Sequence, residues 1–317
     1  MASKPSGSVK DIIDLAYKLR TVEDCEEPFQ TMQQLLEPWR EPSNPSILQP
    51  AALEILNDSH LMVVVILKHW DKVLKMLLSF NVDIQDSVMS LAVHTAKQRR
   101  DFTPLRALFE SVWDINRPLN SHCPPAISLV LQHPDFVDAC LALGAEPDSK
   151  AESGHTTMQR AVGYAPFAMI KLLVDRGAVV AGTNLLPHAA LAYIDTPGGP
   201  EILDRLEVSK YLIERGALLD ACYIDTYKGN TSGDYMYYGR MTALHFAIIG
   251  GKRDLIELLL DSGADAGIGA QSTWKTDWEV ISSVALAQKC GFEDIASMLR
   301  GREMSRTDVE KEVVNDG

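Results

Sequence analysis

A leucine-rich stretch that ends in glycine recurs along this chain at nearly regular intervals. The glycines that close it most clearly are Gly144, Gly177, Gly216 and Gly263. Glycine adopts the left-handed backbone conformation that ends a helix more readily than any other residue. A helix with a single apolar face cannot bury that face alone, so units of this kind must stack on their neighbours. The recurrence therefore predicts an array of stacked helical units rather than one central core.

The recurrence continues towards the amino terminus in a weaker form. Asn81 and Val112 stand where the later units have glycine, after stretches that keep the apolar spacing of a helix. From Asn81 to Gly177 the closing residues are 31 to 33 residues apart, and the next two intervals lengthen to 39 and 47. The longer intervals indicate insertions, and a further insertion precedes a last unit that ends near residue 301. We place the three insertions at residues 192–206, 221–240 and 267–279.

The clearest unit lies between residues 239 and 266. Thr242 stands where a hydroxyl can cap the start of a helix, and apolar residues follow it at helical spacing. After a Gly-Gly break at 250–251, a second helix is predicted to place Leu255, Leu258 and Leu259 on one buried face before it ends at Gly263. Each unit is therefore expected to be a pair of antiparallel helices.

This unit resembles the ankyrin repeat. The resemblance rests on the run Thr-Ala-Leu-His-Phe-Ala at 242–247, on the second amphipathic helix and on the Gly-Ala ending. It covers about residues 55–301 and is strongest after residue 150. It implies an all-α fold, an ankyrin-repeat solenoid of about seven helix-pair units with finger hairpins and an amino-terminal helical cap. The expected divisions are 1–54 for the cap and linker, 55–301 for the array and 302–317 for a polar tail.

Two helix-like stretches, 9–19 and 28–36, are candidates for that cap, and a proline-rich run at 38–50 is expected to link it to the array. Capping elements of this kind cover the exposed end of a repeat array.

Composition excludes several classes of function. Hydrophobic residues make up 46% of the chain and charged residues 23%, which is typical of a folded globular protein. The net charge of −13 disfavours nucleic acid as a partner. The longest apolar run, 61–67, is too short to span a membrane, and no secretory signal precedes it. Five scattered cysteines without a CxxC pair fit a reducing compartment, so we expect a cytoplasmic or nuclear protein.

No sequence pattern that carries catalysis is present. The chain lacks HExxH, a Walker-type loop, GxSxG and zinc-type cysteine spacing. His94, His188 and His245 are interpreted as equivalent repeat positions, and the resemblance to ankyrin repeats implies a structural role for that histidine rather than metal binding. We therefore expect no cofactor, no metal and no enzymatic activity.

Aromatic residues concentrate in two of the insertions. Five of the nine tyrosines fall between residues 221 and 240, around a Gly-Asn turn that favours a long β-hairpin. The next insertion has two tryptophans and is expected to lie beside that hairpin. Tyrosine and tryptophan provide large contact areas in recognition surfaces. The predicted binding residues are Tyr223, Tyr227, Tyr235, Tyr237, Tyr238, Trp274 and Trp278.

Two functional hypotheses follow. The first is a protein–protein interaction module that binds a partner protein through the concave face and the long aromatic finger loops of the last repeats. The alternative is a small-molecule site, or acid-base catalysis by Asp225, Asp234 or His245, in a groove under the fingers. An enclosed aromatic pocket favours the second hypothesis, and an exposed aromatic patch favours the first.

Overall fold

The computed structural model describes residues 26–41, 43–57, 59–111, 113–120, 123–195, 201–223, 237–238, 241–274 and 277–302. The fold is mostly helical. It divides between Gly154 and His155 into two compact units, the amino-terminal unit and the carboxy-terminal unit. Within the described part of the chain, every helix is too short or too polar to span a lipid bilayer.

The amino-terminal unit begins with the described part of the predicted cap. The cap stretch predicted at 28–36 is helix α1, whereas the one predicted at 9–19 lies outside the described residues. The run 38–50, expected as a linker, contains a short antiparallel strand pair. The elements in order are α1 (Glu26–Leu36), a 3-10 turn (Glu37–Trp39), β1 (Arg40–Glu41), β2 (Asn44–Leu48), α2 (Pro50–Leu56), α3 (Ser59–Lys68), α4 (Asp71–Ser79), α5 (Asp86–Arg99), α6 (Thr103–Ser111), a 3-10 turn (Ala126–Leu129) and α7 (Pro134–Ala142).

Helices of the amino-terminal unit pack in pairs. Helix α3 packs against α4 and α5 against α6, while α3 also contacts α5 and α4 contacts α6. The third pair differs from the prediction, because the 3-10 turn Ala126–Leu129 takes the place of its first helix between α5 and α7. Pro124 and Pro125 precede that turn. Proline lacks an N–H group and has a fixed φ, which disfavours a longer helix at this point.

The carboxy-terminal unit repeats the paired arrangement more regularly. Its elements are α8 (Thr157–Tyr164), α9 (Phe167–Asp175), α10 (Leu185–Asp195), α11 (Glu201–Glu214), β3 (Tyr237–Tyr238), α12 (Ala243–Ile249), α13 (Arg253–Asp261), β4 (Ala270–Trp274), β5 (Asp277–Ile281), α14 (Ser283–Lys289) and α15 (293–302). The first helices pack in the order α8, α10, α12 and α14, and the second helices in the order α9, α11 and α13. Helices therefore stack in sequence order within this unit.

The predicted closing residues have the backbone conformation that their role requires. The described closing residues from Asn81 to Gly263 have positive φ, while Val112 lies outside the described residues. The end predicted near residue 301 differs, because Gly301 has no positive φ and the last helix continues through residue 302. A positive φ turns the chain out of the helix and lets the next main-chain N–H groups bond to the last turn. The values are 56° at Asn81, 94° at Gly144, 104° at Gly177, 81° at Gly216 and 99° at Gly263.

A second recurring feature, which we name the junction bond, links neighbouring repeats. The main-chain N–H two residues after a closing residue donates to an oxygen in the turn that precedes the unit. This bond ties one turn to the next and gives the main-chain N–H a partner within the protein. The junction bonds are Asp83 N to Asn57 Oδ1 at 2.9 Å, Glu146 N to Asn116 Oδ1 at 2.8 Å, Leu218 N to the Thr183 carbonyl at 3.0 Å and Asp265 N to Asp220 Oδ1 at 2.9 Å.

The core of the best-defined repeat is rotated slightly from the prediction. In α13, Leu255, Ile256 and Leu259 are fully buried, but Leu258 is only half-buried. The helix therefore presents the 255–256–259 stripe to its neighbours, and the prediction that Leu258 is buried was wrong. Positions three and four residues apart share a helix face, so replacing position 258 by 256 in the buried set turns the apolar stripe around the helix axis without changing its period.

Arginine side chains close helix ends in both units. The buried Arg205 of α11 donates from Nη1 to the carbonyl of Val162 in the last turn of α8, at 2.8 Å. In the same way, Arg99 of α5 donates to the carbonyl of Leu67 near the end of α3, at 3.0 Å. Carbonyls in the last turn have no partner within their own helix, and the helix dipole favours a cation there.

Candidate functional site

The two aromatic insertions meet in one antiparallel sheet. Strand β3 pairs with β4, and β4 pairs with β5, so the insertion before α12 lies directly beside the insertion after α13. Tyr223 bridges to Met241, with its N–H donating to the Met241 carbonyl at 2.7 Å. Tyr227 and Tyr235, at the predicted turn of the long hairpin, lie outside the described residues. The prediction that the two insertions lie side by side is thus confirmed by main-chain pairing between β3 and β4.

The strand register arranges the predicted site residues in rows across this sheet. Tyr237 is opposite Thr273, which is opposite Trp278 on its other side. Tyr238 is opposite Ser272 in the adjacent row, and Trp274 is opposite Asp277 at the end of the hairpin formed by β4 and β5. Four of the seven predicted binding residues therefore belong to a single sheet.

Tyr223 has a different environment from those four residues. Its half-buried ring lies 4.8 Å from the ring of His188 in α10 and 5.6 Å from the ring of Phe246 in α12, measured between ring centres. The contact with Phe246 is edge-to-face, an arrangement that stabilises aromatic pairs. The Tyr223 ring therefore packs between α10 and α12, against helix side chains.

His188 is held neutral at this junction. Burial lowers the pKa of its imidazole to about 4, and the neighbouring His155 lowers it further. A neutral imidazole packs against Tyr223 without the cost of burying a charge. This cluster has the properties of packing rather than of proton transfer near neutral pH.

His245 uses both ring nitrogens to join two parts of its repeat. Its Nδ1 accepts from the N–H of Thr242 at 3.0 Å, so the proton is on Nε2, which donates to the carbonyl of Ile268 at 2.9 Å. The side chain is fully buried, and burial lowers its pKa. Both nitrogens are therefore occupied, which supports the structural role implied for this residue and leaves no site on it for acid-base catalysis. Asp225 and Asp234, the other candidates for that chemistry, lie outside the described residues.

The three histidines do not occupy equivalent positions, as the sequence interpretation had assumed. His245 is the third residue of α12, but His188 is the fourth residue of α10, where Pro187 holds the third position. His94 lies at the ninth position of α5 and is exposed. The interpretation was wrong because it aligned the histidines by residue type rather than by distance from the helix start.

The residue equivalent to His245 in α8 is Gln159, which the sequence interpretation missed. The side-chain Oε1 of Gln159 accepts from the main-chain N–H of Thr156 at 2.9 Å, and the main-chain N–H of Gln159 donates to Thr156 Oγ1 at 3.0 Å. Its Nε2 donates to Oδ1 of Asn184, immediately before α10, at 2.9 Å. Like His245, Gln159 caps its helix and reaches the following loop. The Thr-x-x-Gln spacing of a capping box was the available signal.

A polar contact joins α10 to α13, a helix of the following pair. The hydroxyl of Tyr193 donates to Asp254 Oδ2 at 2.7 Å, and Lys252 Nζ lies 4.7 Å from the centre of the Tyr193 ring. Burial raises the pKa of Tyr193 to about 12, and the bond to Asp254 adds to this shift. The phenol therefore stays protonated and acts as a donor that fixes the spacing of the two repeats.

Among the described residues, no group of three or more His, Cys, Asp or Glu side chains is placed to hold a metal ion. Burial raises the pKa of the Cys140 thiol to about 12, so that thiol is a core residue rather than a nucleophile.

Residues 240–271 match the family model described as Ankyrin repeat. The chain carries an ankyrin repeat. The match spans α12, α13 and the start of β4, so it covers the capping residue Thr242, the linking His245 and the closing Gly263. The predicted resemblance to the ankyrin repeat is confirmed over residues 240–271, a segment that follows β3 and ends in β4. A comparison with curated proteins gives no significant match.

Proposed function

We propose that this chain is a protein-binding module whose partner contacts the concave face and the aromatic fingers of the carboxy-terminal repeats. Ankyrin repeats generally mediate protein–protein interaction. The observation that carries the proposal is the three-stranded sheet, which joins the aromatic insertions on either side of the matched repeat. Loops presented by a rigid helical stack are where binding residues commonly collect.

The proposed contact residues are those of the sheet and of the hairpin turn. Tyrosine and tryptophan dominate the binding energy of many interfaces because they bury large areas at small entropic cost. The row formed by Tyr237, Thr273 and Trp278 supports this assignment because it sets a small residue between two aromatic ones. Tyr223 is assigned a packing role, because its ring lies against His188 and Phe246. The contact residues are Tyr227, Tyr235, Tyr237, Tyr238, Trp274 and Trp278.

We further propose that the paired helices of residues 55–301 form an ankyrin-type array of about seven units. The sequence-order packing within the carboxy-terminal unit supports this, as do junction bonds that occur in both units. We propose a cytoplasmic or nuclear location, supported by free thiols at Cys140, Cys222 and Cys290.

The binding proposal is tested on a partner recovered by affinity capture with the full chain. Titration calorimetry then compares wild type with Tyr237→Ala and Trp278→Ala. We expect at least one substitution to weaken binding by about 2 kcal/mol or more, which is roughly 30-fold in the dissociation constant.

Two controls separate recognition from folding. Tyr164→Ala removes an exposed tyrosine at the end of α8, and its affinity should equal that of wild type. Tyr223→Ala should lower the melting temperature but leave the affinity of the folded molecules unchanged, because the Tyr223 ring packs internally. If deletion of residues 224–236 combined with Tyr237→Ala and Trp278→Ala leaves the affinity unchanged, the fingers are not the binding surface.

A further inference from the structure

A second candidate site lies within the amino-terminal unit. A cleft of about 560 Å³ is formed by α1, the start of β1 and α4. Its described lining combines apolar side chains with cationic ones and includes no acidic side chain. The volume falls in the range of clefts that hold small ligands or short peptide segments. The main contributors are Phe29, Arg40, Lys72, Lys75, Met76 and Phe80.

The positive charge of this cleft contrasts with the chain as a whole. The net charge is −13, yet three cationic side chains line one cavity. Two of them are paired with carboxylates of the same chain that do not line the cleft. Arg40 Nε donates to Glu37 Oε2 at 2.7 Å, and Lys72 forms an ion pair with Glu26. The hydrogen bond from Lys72 lowers the pKa of Glu26. These two cations therefore already have carboxylate partners.

Lys75 is the cation that this internal pairing leaves available. It is exposed on α4, and it makes no hydrogen bond or ion pair with any residue that the structure describes. Burial raises the pKa of the nearby Asp71, an effect that the charge of Lys75 partly opposes. An ammonium group in this position can pair with an incoming carboxylate without first breaking an ion pair.

The apolar part of the cleft lies next to these cations. Phe80 is almost fully buried, and the guanidinium of Arg40 stacks over its ring at 5.2 Å from the ring centre. Phe29 and Met76, on the same lining, are half-buried and so keep part of their apolar surface exposed. Methionine and phenylalanine provide an adaptable apolar surface for an incoming side chain.

We propose that this cleft binds a short acidic peptide segment of a partner protein, with a carboxylate on Lys75 and an adjoining apolar side chain against Phe29 and Met76. Charge complementarity favours an acidic ligand. The volume and the apolar lining favour a peptide over a single inorganic anion, which needs neither. The site is independent of the aromatic fingers, since every lining residue belongs to the amino-terminal unit.

The test uses the full chain and a fluorescein-labelled peptide of sequence Glu-Glu-Leu-Glu-Glu, followed by fluorescence anisotropy. We expect saturable binding with a dissociation constant below about 1 mM in low salt, which weakens as salt is added. Lys75→Glu should weaken binding at least about tenfold. Lys210→Glu is the matched control, because it alters an exposed lysine on α11 and changes the net charge equally. This variant should bind the peptide within about twofold of wild type if charge acts locally.

The apolar requirement is tested by replacing the central leucine of the peptide with serine, which should weaken binding about fivefold or more. Equal effects of Lys75→Glu and Lys210→Glu would overturn the proposal, because binding would then follow net charge alone. Inorganic phosphate that displaces the peptide completely at millimolar concentration would identify a simple anion site and would also overturn it. So would a concentration-dependent dimer that Lys75→Glu abolishes in sedimentation, because the occupant would then be a second copy of the chain.

Discussion

At the scale of single residues, His188, which packs against Tyr223, makes the free energy of unfolding depend on pH. Its pKa is about 4 in the folded protein and about 6.5 in an unfolded chain. Between these values the unfolded chain binds a proton that the folded protein does not. The free energy of unfolding should therefore be fully retained above about pH 6.5 and decline as the pH falls towards 4, by about 1–3 kcal/mol from this residue.

His188→Gln should flatten this decline in urea denaturation curves recorded between pH 7 and pH 4. His94→Gln is the matched control, since it makes the same substitution at an exposed histidine of α5. A His188→Gln protein with the same pH dependence as wild type would show that the ring is solvated.

Sequence reasoning reached some of these residue environments and missed others, for physical reasons. Glycine at 144, 177, 216 and 263 was informative because glycine adopts positive φ without steric cost, and these four residues have it. The roles of His188 and Gln159 depend on their distance from a helix start, which an irregular loop can shift by one position. The buried stripe of α13 was missed for a similar reason, since leucines at neighbouring positions fit two adjacent faces.

At the scale of elements, the junction bonds connect one turn to the next. Asn116 makes the most complete of them, because it accepts from Glu146 N at 2.8 Å and also donates to the Gly144 carbonyl at 3.0 Å. No sequence pattern announced this contact, since the accepting groups are two asparagines, an aspartate and a threonine main-chain carbonyl.

Asn116→Ala removes both bonds and should lower the free energy of unfolding of the amino-terminal unit by about 1–2 kcal/mol. Asn116→Asp keeps the acceptor but loses the donor, so it should be affected less. Urea denaturation and hydrogen exchange at the Glu146 amide measure the two effects. Unchanged exchange at that amide in Asn116→Ala would show that the bond does not protect it.

The aromatic sheet was predicted in outline but not in its pairing. Alternating tyrosines around a Gly-Asn turn favoured a hairpin within 221–240. Most of that hairpin lies outside the described residues; the described pairing joins Tyr237 and Tyr238 to β4 of the next insertion. Pairing between insertions depends on the distance between successive repeats, which is a property of the stack and not of either segment alone.

At the scale of the whole molecule, the two units differ in which residues adopt positive φ where helices end. In the amino-terminal unit, His69, Arg100 and the closing residue Asn81 have positive φ although none of them is glycine. Such conformations cost residues with side chains about 1–2 kcal/mol each. The corresponding helix breaks in the carboxy-terminal unit use Gly251 and Gly291, with φ of 62° and 82°.

We therefore expect the amino-terminal repeats to open more easily than the carboxy-terminal ones. Repeat arrays permit this because each unit contacts only its neighbours. Native-state hydrogen exchange should give lower opening free energies for amides in residues 60–111 than for those in 243–261. Equal or greater protection in residues 60–111 would contradict the expectation and would indicate that α1 stabilises that end.

The junction bonds also bear on which amino acids their donor positions can accept. Each donor is a main-chain N–H; three of the donor positions hold acidic residues, Asp83, Glu146 and Asp265, whereas the fourth holds Leu218, so the bond itself does not require a particular side chain. An amide hydrogen is present in every amino acid except proline, so these positions can exchange residues widely without uncoupling the repeats. A helix pair can therefore change its sequence and keep this bond to its neighbour. The proposed array would in this way include the helix pairs of residues 59–111, which carry little of the repeat signature.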